Sequence, residues 1–315
     1  MKETPEAYDY WAYENRPKIT WPNGARLAFW VAPNIEYYEI DPPANPHRKP
    51  WPTPHPSVPG FGIRDYGNRV GHMRQMALLD KYGVRGSVSL STALCDHHPE
   101  IIAAARERSW EFFSHGVYNT RYTYGLSEAQ ERAMIRETVE AIHRHTGQAC
   151  AGYLAPALSH SEHTLDLFAE VGREMFGDQG GLYTCDLFHD DQPTPVRTRS
   201  GLRFVSVPYS LEMNDTIVYA VNKVEPRHYA RMLKRCFDRL YAEGAESGTV
   251  MCIPTHNYQI SCPHRIKAFE EALEYITGHS GVWVATGREI AQHYLAHHYD
   301  AARADIETKK QAAEA

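Results

Sequence analysis

The sequence predicts an α/β fold, a distorted (β/α) barrel of about seven to eight strands. Short apolar stretches of strand length alternate with amphipathic stretches of helix length along the 315 residues, as expected for parallel strands joined by right-handed helical crossovers. Polar residues capable of catalysis or metal binding follow several of the apolar stretches. In such barrels chemistry occurs at the carboxyl ends of the strands. No linker divides the chain, so we expect a single domain over residues 1–300 and a charged, frayed tail over 301–315.

The first strand is predicted over residues 26–32, which are apolar on both faces and follow a Pro-Asn-Gly turn. Asn34 and Glu36 come directly after it. Alternate residues of an extended chain point to the same side, so these two polar groups are expected to converge above the strand. A long proline-rich loop is predicted over residues 41–62.

The remaining elements follow from hydrophobic periodicity and from capping signals, such as the capping box that begins at Ser127. The predicted strands are 84–90, the aromatic segment before His115, 150–155, 174–177, 202–207, 249–254 and 282–285. Residues 65–69 lead into a predicted helix that ends near residue 83. The other predicted helices are 99–108, 127–147, 161–171, 226–243 and 264–276, followed by a final helix.

The aromatic segment 110–113 is predicted to be a buried strand that places His115 at its carboxyl end. Gly116 allows a close turn there, and Asn119 follows four residues after the histidine. Imidazole nitrogen and amide oxygen can both coordinate a metal, so His115 and Asn119 are candidate ligands of one ion. The alternative is a histidine that caps the strand and bonds to the backbone.

Other candidate site residues also follow strands or begin helices. His256 lies after the strand 249–254, and Asn214 and Asp215 follow the strand 202–207. An Asn-Asp pair can hydrogen-bond a polar heterocycle or simply form a turn. Arg69 either pairs with Asp65 at the start of a helix or binds a substrate carboxylate or carbonyl.

Composition excludes several classes of function. There are 33 basic and 39 acidic residues, with a formal net charge of -6 and no long basic run, so nucleic acid is not an expected partner. The six cysteines form no CxxC pair, which favours a reducing, cytoplasmic location. The beginning of the chain lacks the apolar core of a signal peptide, and no stretch has the length of a membrane span.

From about Arg26 to Tyr294 the chain resembles the polysaccharide deacetylase superfamily. The similar branch includes peptidoglycan deacetylase-like proteins, cyclic imide hydrolases and metal-free allantoinases. The segment 152–156, which ends in Pro156, resembles the central loop of the family. The segment 207–215, with Glu212, resembles a substrate-side segment of this branch. The resemblance implies a deacetylase-like barrel, a small-molecule substrate and a homo-oligomer.

The resemblance also implies roles for single residues. The family's Asp-x-Asp motif supplies a general base and a zinc ligand, and Asn34 and Glu36 stand at the matching positions. Its His-x-x-x-His metal motif is matched by His115 and Asn119, and the histidine that acts as general acid is matched by His256. The chain departs from the family pattern because an asparagine replaces the base and a neutral amide replaces one imidazole. The Asn-x-Glu form is similar to that of the allantoinase-like members.

Three functions stay open from the sequence. The leading hypothesis is a hydrolase of non-peptide carbon-nitrogen bonds in a small amide, cyclic imide or ureide, with His256 as proton donor. Glu36 would bind a metal or act as base, and His115 would bind a metal, polarise the carbonyl or orient water. The alternatives are a zinc-dependent deacetylase of an N-acetylated sugar or amine, and a catalytically silent barrel that binds a small ligand. Zinc is therefore a possible cofactor, and a metal-free site is the other possibility.

Overall fold

A computed structural model describes residues 6–44 and 55–314, with side chains up to residue 312. Within these ranges nine strands form one curled sheet in the order β6-β7-β5-β4-β3-β2-β1-β8, and β9 also pairs with β1. All pairs are parallel except β6 with β7. The strands are β1 Leu27–Ile35, β2 Ser87–Leu90, β3 Glu111–Ser114, β4 Gly152–Tyr153, β5 Tyr183–Thr184, β6 Thr194–Val196, β7 Phe204–Ser206, β8 Thr249–His256 and β9 Val282–Val284. The α/β barrel class is confirmed, and the barrel is open between the two ends of this strand order.

Helices cover the outside of the sheet. They are α1 Val58–Tyr66, α2 His72–Lys81, α3 Leu94–His97, α4 Pro99–Glu107, α5 Glu128–Thr146, α6 Thr164–Phe176, α7 Pro226–Glu243, α8 Ile266–Thr277, α9 Gly287–His297 and α10 Tyr299–Glu314. The predicted capping box at Ser127 is confirmed at the start of α5. The described residues also contain two π-helical turns, Gly67–Gly71 between α1 and α2 and Ile217–Val221 before α7.

Side-chain alternation along the strands separates two apolar cores. On β1, Leu27, Phe29 and Val31 pack against the helices, whereas Trp30 and its alternate neighbours fill the inside of the curled sheet. Successive residues of a strand point to opposite faces, so residue parity decides which core each side chain enters. The same parity decides which polar residues reach the inside at the strand ends.

Three predicted elements differ in the structure. The strand predicted over 174–177 is wrong, because helix α6 continues through Phe176 and Gly177 at φ 54° ends it. The tail is not frayed: α10 buries Ala302 and Ile306, and Trp11 donates to Asp305 at 2.7 Å. Residues 58–62 of the predicted loop belong to α1, and residues 45–54 lie outside the described part. A single domain over residues 1–300 stays a prediction.

Candidate active site

Three neighbouring regions of the sheet deliver the central side chains of the site. Glu36 follows β1, His115 follows β3, and His256 is the last residue of β8. Strand β8 pairs with β1 in a register that sets Asn34 beside His256. Each of the three lies an even number of residues after a side chain that fills the inside of the sheet, and therefore points to the same side. These interior side chains are Trp30 for Glu36, Phe113 for His115 and Cys252 for His256.

Glu36 is the centre of this cluster. Its carboxylate oxygen Oε1 lies 3.2 Å from His115 Nε2, 3.6 Å from His256 Nε2 and 3.0 Å from Asn119 Nδ2. Its side chain is only 3% exposed. A buried carboxylate without partners is costly, and here one oxygen faces two imidazoles and an amide donor. The sequence-predicted residues Glu36, His115, Asn119 and His256 are thus brought together.

His256 is held from behind by a buried carboxylate. His256 Nδ1 lies 2.7 Å from Asp215 Oδ1, and Asp215 Oδ2 accepts the backbone N–H groups of His256 at 2.8 Å and Ile260 at 3.1 Å. Asp215 is completely buried. These contacts fix the ring so that Nε2 faces Glu36. Asp215 therefore contacts the histidine rather than an open substrate cavity.

The negative charge of Glu36 and the positive charge of His256 stabilise each other. Burial alone would lower the pKa of His256, but the carboxylates of Glu36 and Asp215 raise that pKa from 6.5 to about 10. Burial alone would raise the pKa of Glu36, but His256 and His115 hold it well below its ordinary value. At neutral pH the site therefore contains a carboxylate at Glu36 and an imidazolium at His256.

His115 is held by the main chain. His115 Nδ1 lies 3.0 Å from the carbonyl oxygen of Leu154. A carbonyl only accepts hydrogen bonds, so Nδ1 carries a proton and Nε2 is the nitrogen that faces Glu36. The backbone bond of the strand-capping alternative is present at one nitrogen, whereas the other nitrogen faces Glu36, and a functional role of His115 stays a prediction.

Asn119 presents its amide nitrogen, not its oxygen, to the centre of the site. The backbone N–H of Ala157 donates to Asn119 Oδ1 at 2.9 Å, which fixes the orientation of the amide. Asn119 Nδ2 then donates to Glu36 Oε1 and, at 2.6 Å, to Tyr38 Oη. A cation needs lone pairs from its ligands, and an NH₂ group offers none. The donor set of Glu36, His115 and Asn119 does not fit zinc in this arrangement.

Two tyrosines that the sequence does not predict complete the surroundings of Glu36. Tyr38 Oη donates to Glu36 Oε2 at 2.6 Å, and Tyr258 Oη lies 3.4 Å from the same oxygen. Each stands two residues after a predicted site residue, Glu36 or His256. An alternation continued past the strand end would have indicated both, since residues i and i+2 share a side.

The π-helical turn Gly67–Gly71 supports the site from the outside. Asn68 Nδ2 donates to the carbonyl of Glu36 at 3.1 Å, and Asn257 Nδ2 donates to Asn68 Oδ1 at 3.2 Å. A Cβ on Gly67 would lie 2.2 Å from Asn257 Oδ1. The glycine therefore permits the close approach of this turn to the segment that follows His256.

Two of the expected substrate-binding residues bond within the protein. Asn34 Nδ2 donates to the carbonyl oxygen of Thr255 at 3.2 Å and to Tyr209 Oη at 3.0 Å. Asn214 Nδ2 donates to the same hydroxyl at 3.4 Å. Asn34, which stands where the family pattern has a general base, connects β1 to β8 through its bond to Thr255.

Pro156 lies at the edge of the cluster, and two other expected residues do not join it. A Cβ on Gly116, which has φ 72°, would lie 2.9 Å from Pro156 Cγ, so the proline packs against the turn after His115. The Arg69 side chain is 72% exposed and pairs with Asp65 at 3.6 Å, the structural alternative for that residue. Glu212 is exposed and lines a separate cavity of about 390 Å³ beside Tyr209.

Two features are absent from the described residues. Residues 6–44 and 55–314 contain no group of three His, Cys, Asp or Glu residues arranged to hold a metal ion. Within the same ranges, every helix is too short or too polar to cross a membrane.

Sequence comparison identifies related proteins. Residues 65–176 match the polysaccharide deacetylase family. This match includes His115 and Asn119 but not Glu36 or His256. A Schizosaccharomyces pombe protein assigned as a polysaccharide deacetylase is 29% identical over 248 residues, 74% of this chain and 75% of the relative. The peptidoglycan deacetylase of Helicobacter pylori is 23% identical over 262 residues, 73% of this chain and 85% of the relative.

Solved structures share the fold over nearly the whole chain. The crystal structure of the PuuE allantoinase has a TM-score of 0.79 and 27% identity, covering 90% of this chain and 95% of that one. A Pseudomonas aeruginosa PAO1 protein assigned as a polysaccharide deacetylase has a TM-score of 0.78 and 27% identity, covering 90% and 96%. The chain is therefore similar to polysaccharide deacetylases in sequence over residues 65–176 and in fold over nearly its whole length, and these similarities indicate a hydrolase of carbon-nitrogen bonds of the deacetylase and amidase type.

Proposed function

We propose that this protein hydrolyses a carbon-nitrogen bond in a small amide, cyclic imide or ureide without a metal ion. The observation that carries the proposal is the buried pair of Glu36 and His256, 3.6 Å apart, with Asp215 behind the histidine at 2.7 Å. A carboxylate and an imidazolium on two sides of one small space supply the base and the acid that amide hydrolysis requires.

The proposed reaction begins with water between Glu36 and the substrate carbonyl carbon. Glu36 takes a proton from the water as its oxygen forms a bond to that carbon. His256 Nε2 gives its proton to the leaving nitrogen as the carbon-nitrogen bond breaks, and His115, whose Nε2 carries a lone pair, helps to orient the water. The proton on Glu36 then returns to His256 through solvent when the products leave, so the enzyme regains its starting charges.

The entry of substrate should make both groups more reactive. Each group shifts the pKa of the other because they face each other directly. A neutral substrate or a water molecule that separates them weakens this interaction. The pKa of Glu36 then rises and that of His256 falls, which makes Glu36 a better base and His256 a better acid.

The orientation of Asn119 supports the metal-free form of the proposal. Its NH₂ group faces Glu36 at 3.0 Å, where a third zinc ligand would have to offer a lone pair. In place of a cation, the site gives the carboxylate hydrogen bonds from Asn119 and Tyr38 and the positive charge of His256. These groups neutralise Glu36 in a buried position.

The character of the site also supports a small polar substrate. The side chains of Glu36, His115 and His256 are between 3% and 9% exposed, which leaves little room for a polymer at the reacting centre. Imides and ureides carry carbonyl oxygens that can accept a hydrogen bond from the His256 imidazolium. The similarity to an allantoinase over 90% of the chain points in the same direction.

A second candidate is a zinc-dependent deacetylase of an N-acetylated sugar or amine. The family match and the relatives that are named as deacetylases favour it. It would require the Asn119 amide to turn and lose its bond from Ala157. A cytoplasmic location and a homo-oligomeric state stay predictions of the sequence.

Turnover of a defined substrate panel tests the proposal. The panel contains hydantoins, allantoin, succinimide and N-acetylated amines and sugars, assayed with protein treated with a chelator. We expect turnover of at least one cyclic imide or ureide and its loss in Glu36→Gln and in His256→Asn. Release of acetate only after zinc is added would favour the deacetylase. No turnover of any compound, with binding retained, would favour the silent barrel.

A further inference from the structure

The two oxygens of Glu36 have different surroundings. Oε1 faces His115, His256 and Asn119, whereas Oε2 faces the phenol groups of Tyr38 at 2.6 Å and Tyr258 at 3.4 Å. One oxygen is thus directed toward the proposed acid. The other accepts a short hydrogen bond from a neutral donor.

The backbone N–H of Ala157 fixes the donor and the acceptor in each hydrogen bond that links Asn119, Tyr38 and Glu36. The Ala157 N–H can only donate, so Asn119 Oδ1 must accept. Asn119 Nδ2 therefore points to Tyr38 Oη, which accepts from it at 2.6 Å. The single phenolic proton of Tyr38 then points to Glu36 Oε2. A chain of this kind runs in one direction, and each bond strengthens the next.

The Ala157 N–H, which begins this series of hydrogen bonds, lies in an unusual turn. Ala157 has φ 49° and Leu158 has φ 56°, two successive non-glycine residues in the left-handed region. Each left-handed alanine or leucine costs on the order of 1 kcal/mol, and such residues cluster at functional sites. Here the turn directs the Ala157 N–H at Asn119.

Tyr38 is held on its ring face as well as at its hydroxyl. The guanidinium carbon of Arg64 lies 4.2 Å from the centre of the Tyr38 ring, and Arg64 Nη1 donates to the Gly60 carbonyl at 2.9 Å. A cation over an aromatic face is attracted to it. The ring is therefore fixed between α1 and the site.

We propose that Tyr38 is a positioning residue that occupies Oε2 of Glu36 and so leaves Oε1 as the oxygen that takes the proton from water. The inference rests on the proposed function, in which Glu36 is the base. Tyr38 Oη donates to Glu36 Oε2 at 2.6 Å and accepts from Asn119 Nδ2 at 2.6 Å, so its one proton is engaged with Glu36. Tyr38 donates a hydrogen bond and transfers no proton.

The test compares Tyr38→Phe with a matched control, Tyr183→Phe, in the full chain. Tyr183 is also buried and donates to a buried glutamate, Glu111 Oε1, at 2.9 Å, but it lies on β5 away from the site. Both changes remove one phenolic oxygen from a Tyr–Glu hydrogen bond, so both should lower Tm. We expect kcat on the best substrate to fall about 30-fold in Tyr38→Phe with KM within about twofold, and to stay within about twofold in Tyr183→Phe. Equal losses of kcat, or an unchanged kcat in Tyr38→Phe, would overturn the proposal.

A second readout needs no substrate. In ¹H–¹⁵N spectra of the protein, the side-chain amide protons of Asn119 report the bond to Tyr38. The chemical shift of one of these protons should change in Tyr38→Phe, and neither chemical shift should change in Tyr183→Phe. If the wild-type protein turned over nothing, the proposed function would fail while this signal still tested the hydrogen-bond chain. An Asn119 signal unmoved in Tyr38→Phe would overturn that chain whatever the activity.

Discussion

The two histidines of the site differ mainly in the group that holds their inner nitrogen. His115 and His256 both present Nε2 to the same oxygen of Glu36, at 3.2 Å and 3.6 Å. Behind His115 is the neutral carbonyl of Leu154, and behind His256 is the carboxylate of Asp215. A carbonyl fixes the ring and its tautomer, whereas a carboxylate also stabilises the imidazolium. In the proposed reaction the same residue type therefore has two tasks, orientation at β3 and proton donation at β8.

The largest expected effect is the loss of the charged histidine. His256→Asn keeps a side chain that can bond to Asp215 but removes the proton donor. We expect kcat to fall about 10³-fold, because general acid catalysis typically contributes 10²–10⁴-fold. Steady-state kinetics with far-ultraviolet circular dichroism as a folding control measures this. A loss of less than about tenfold would mean that another group protonates the leaving nitrogen.

Removing the carboxylate behind His256 should make the two histidines more alike. In Asp215→Asn we expect kcat to fall about 10²-fold, since the imidazolium loses its stabilising partner. The raised pKa of His256 in the free protein, about 10, places the alkaline loss of wild-type kcat/KM near that pH. The variant should lose activity at a lower pH. If the alkaline limb of the pH profile stayed in place, Asp215 would not be what raises the pKa of His256.

The same shift predicts how stability depends on pH. The pKa of His256 in the folded protein lies above its ordinary value of 6.5, so its stabilising contribution is complete below about pH 6.5 and is lost as pH rises toward 10. Asp215→Asn should therefore flatten the fall of Tm between these two pH values. Thermal unfolding of both proteins across this range, with reversibility checked, gives the result. Equal slopes would contradict the charged state of His256.

A smaller effect is expected at the other histidine. His115→Gln keeps a polar side chain at this position, and in the proposed reaction His115 transfers no proton to the leaving group. We expect kcat to fall about tenfold, at the low end of what a positioned polar group contributes. The alkaline limb set by His256 should persist. A loss as large as that of His256→Asn would remove the distinction between the two residues.

The smallest effect is expected at Arg69. Its side chain is 72% exposed and paired with Asp65, and exposed ion pairs contribute about 0–1 kcal/mol. Arg69→Ala should change kcat/KM by less than about twofold and stability by less than about 1 kcal/mol. Denaturant unfolding and kinetics on the same sample measure both. A large rise in KM would show that Arg69 reaches the substrate, as the sequence allows.

The sequence predicts the positions of the site better than its contacts. Strand ends and side-chain parity suffice to bring Glu36, His115 and His256 together, because parallel strands end at one edge of the sheet. Parity does not say what lies behind a side chain. From the sequence, Asp215 is equally consistent with a substrate ligand and with a turn residue. Its place behind His256 follows only from the contact between two segments that are 41 residues apart in the sequence.

The orientation of Asn119 is a clearer limit. Its spacing from His115 suggests a metal ligand, and nothing nearby in the sequence indicates which end of the amide faces inward. That choice is made by the N–H of Ala157, 38 residues away, in a left-handed turn that no glycine marks. The tail 301–315 shows the same limit, since its charged, alanine-rich composition does not reveal that Trp11 bonds to it.

The central claim is that Glu36 and His256 perform acid–base hydrolysis without a metal. The most direct measurement is turnover of the best substrate by protein whose metal content has been determined by mass spectrometry before and after chelation, with Glu36→Gln as control. We predict less than one-tenth equivalent of metal per chain, a kcat unchanged by chelation and its loss in Glu36→Gln. Activity that disappeared on chelation and returned with one equivalent of zinc would contradict the claim.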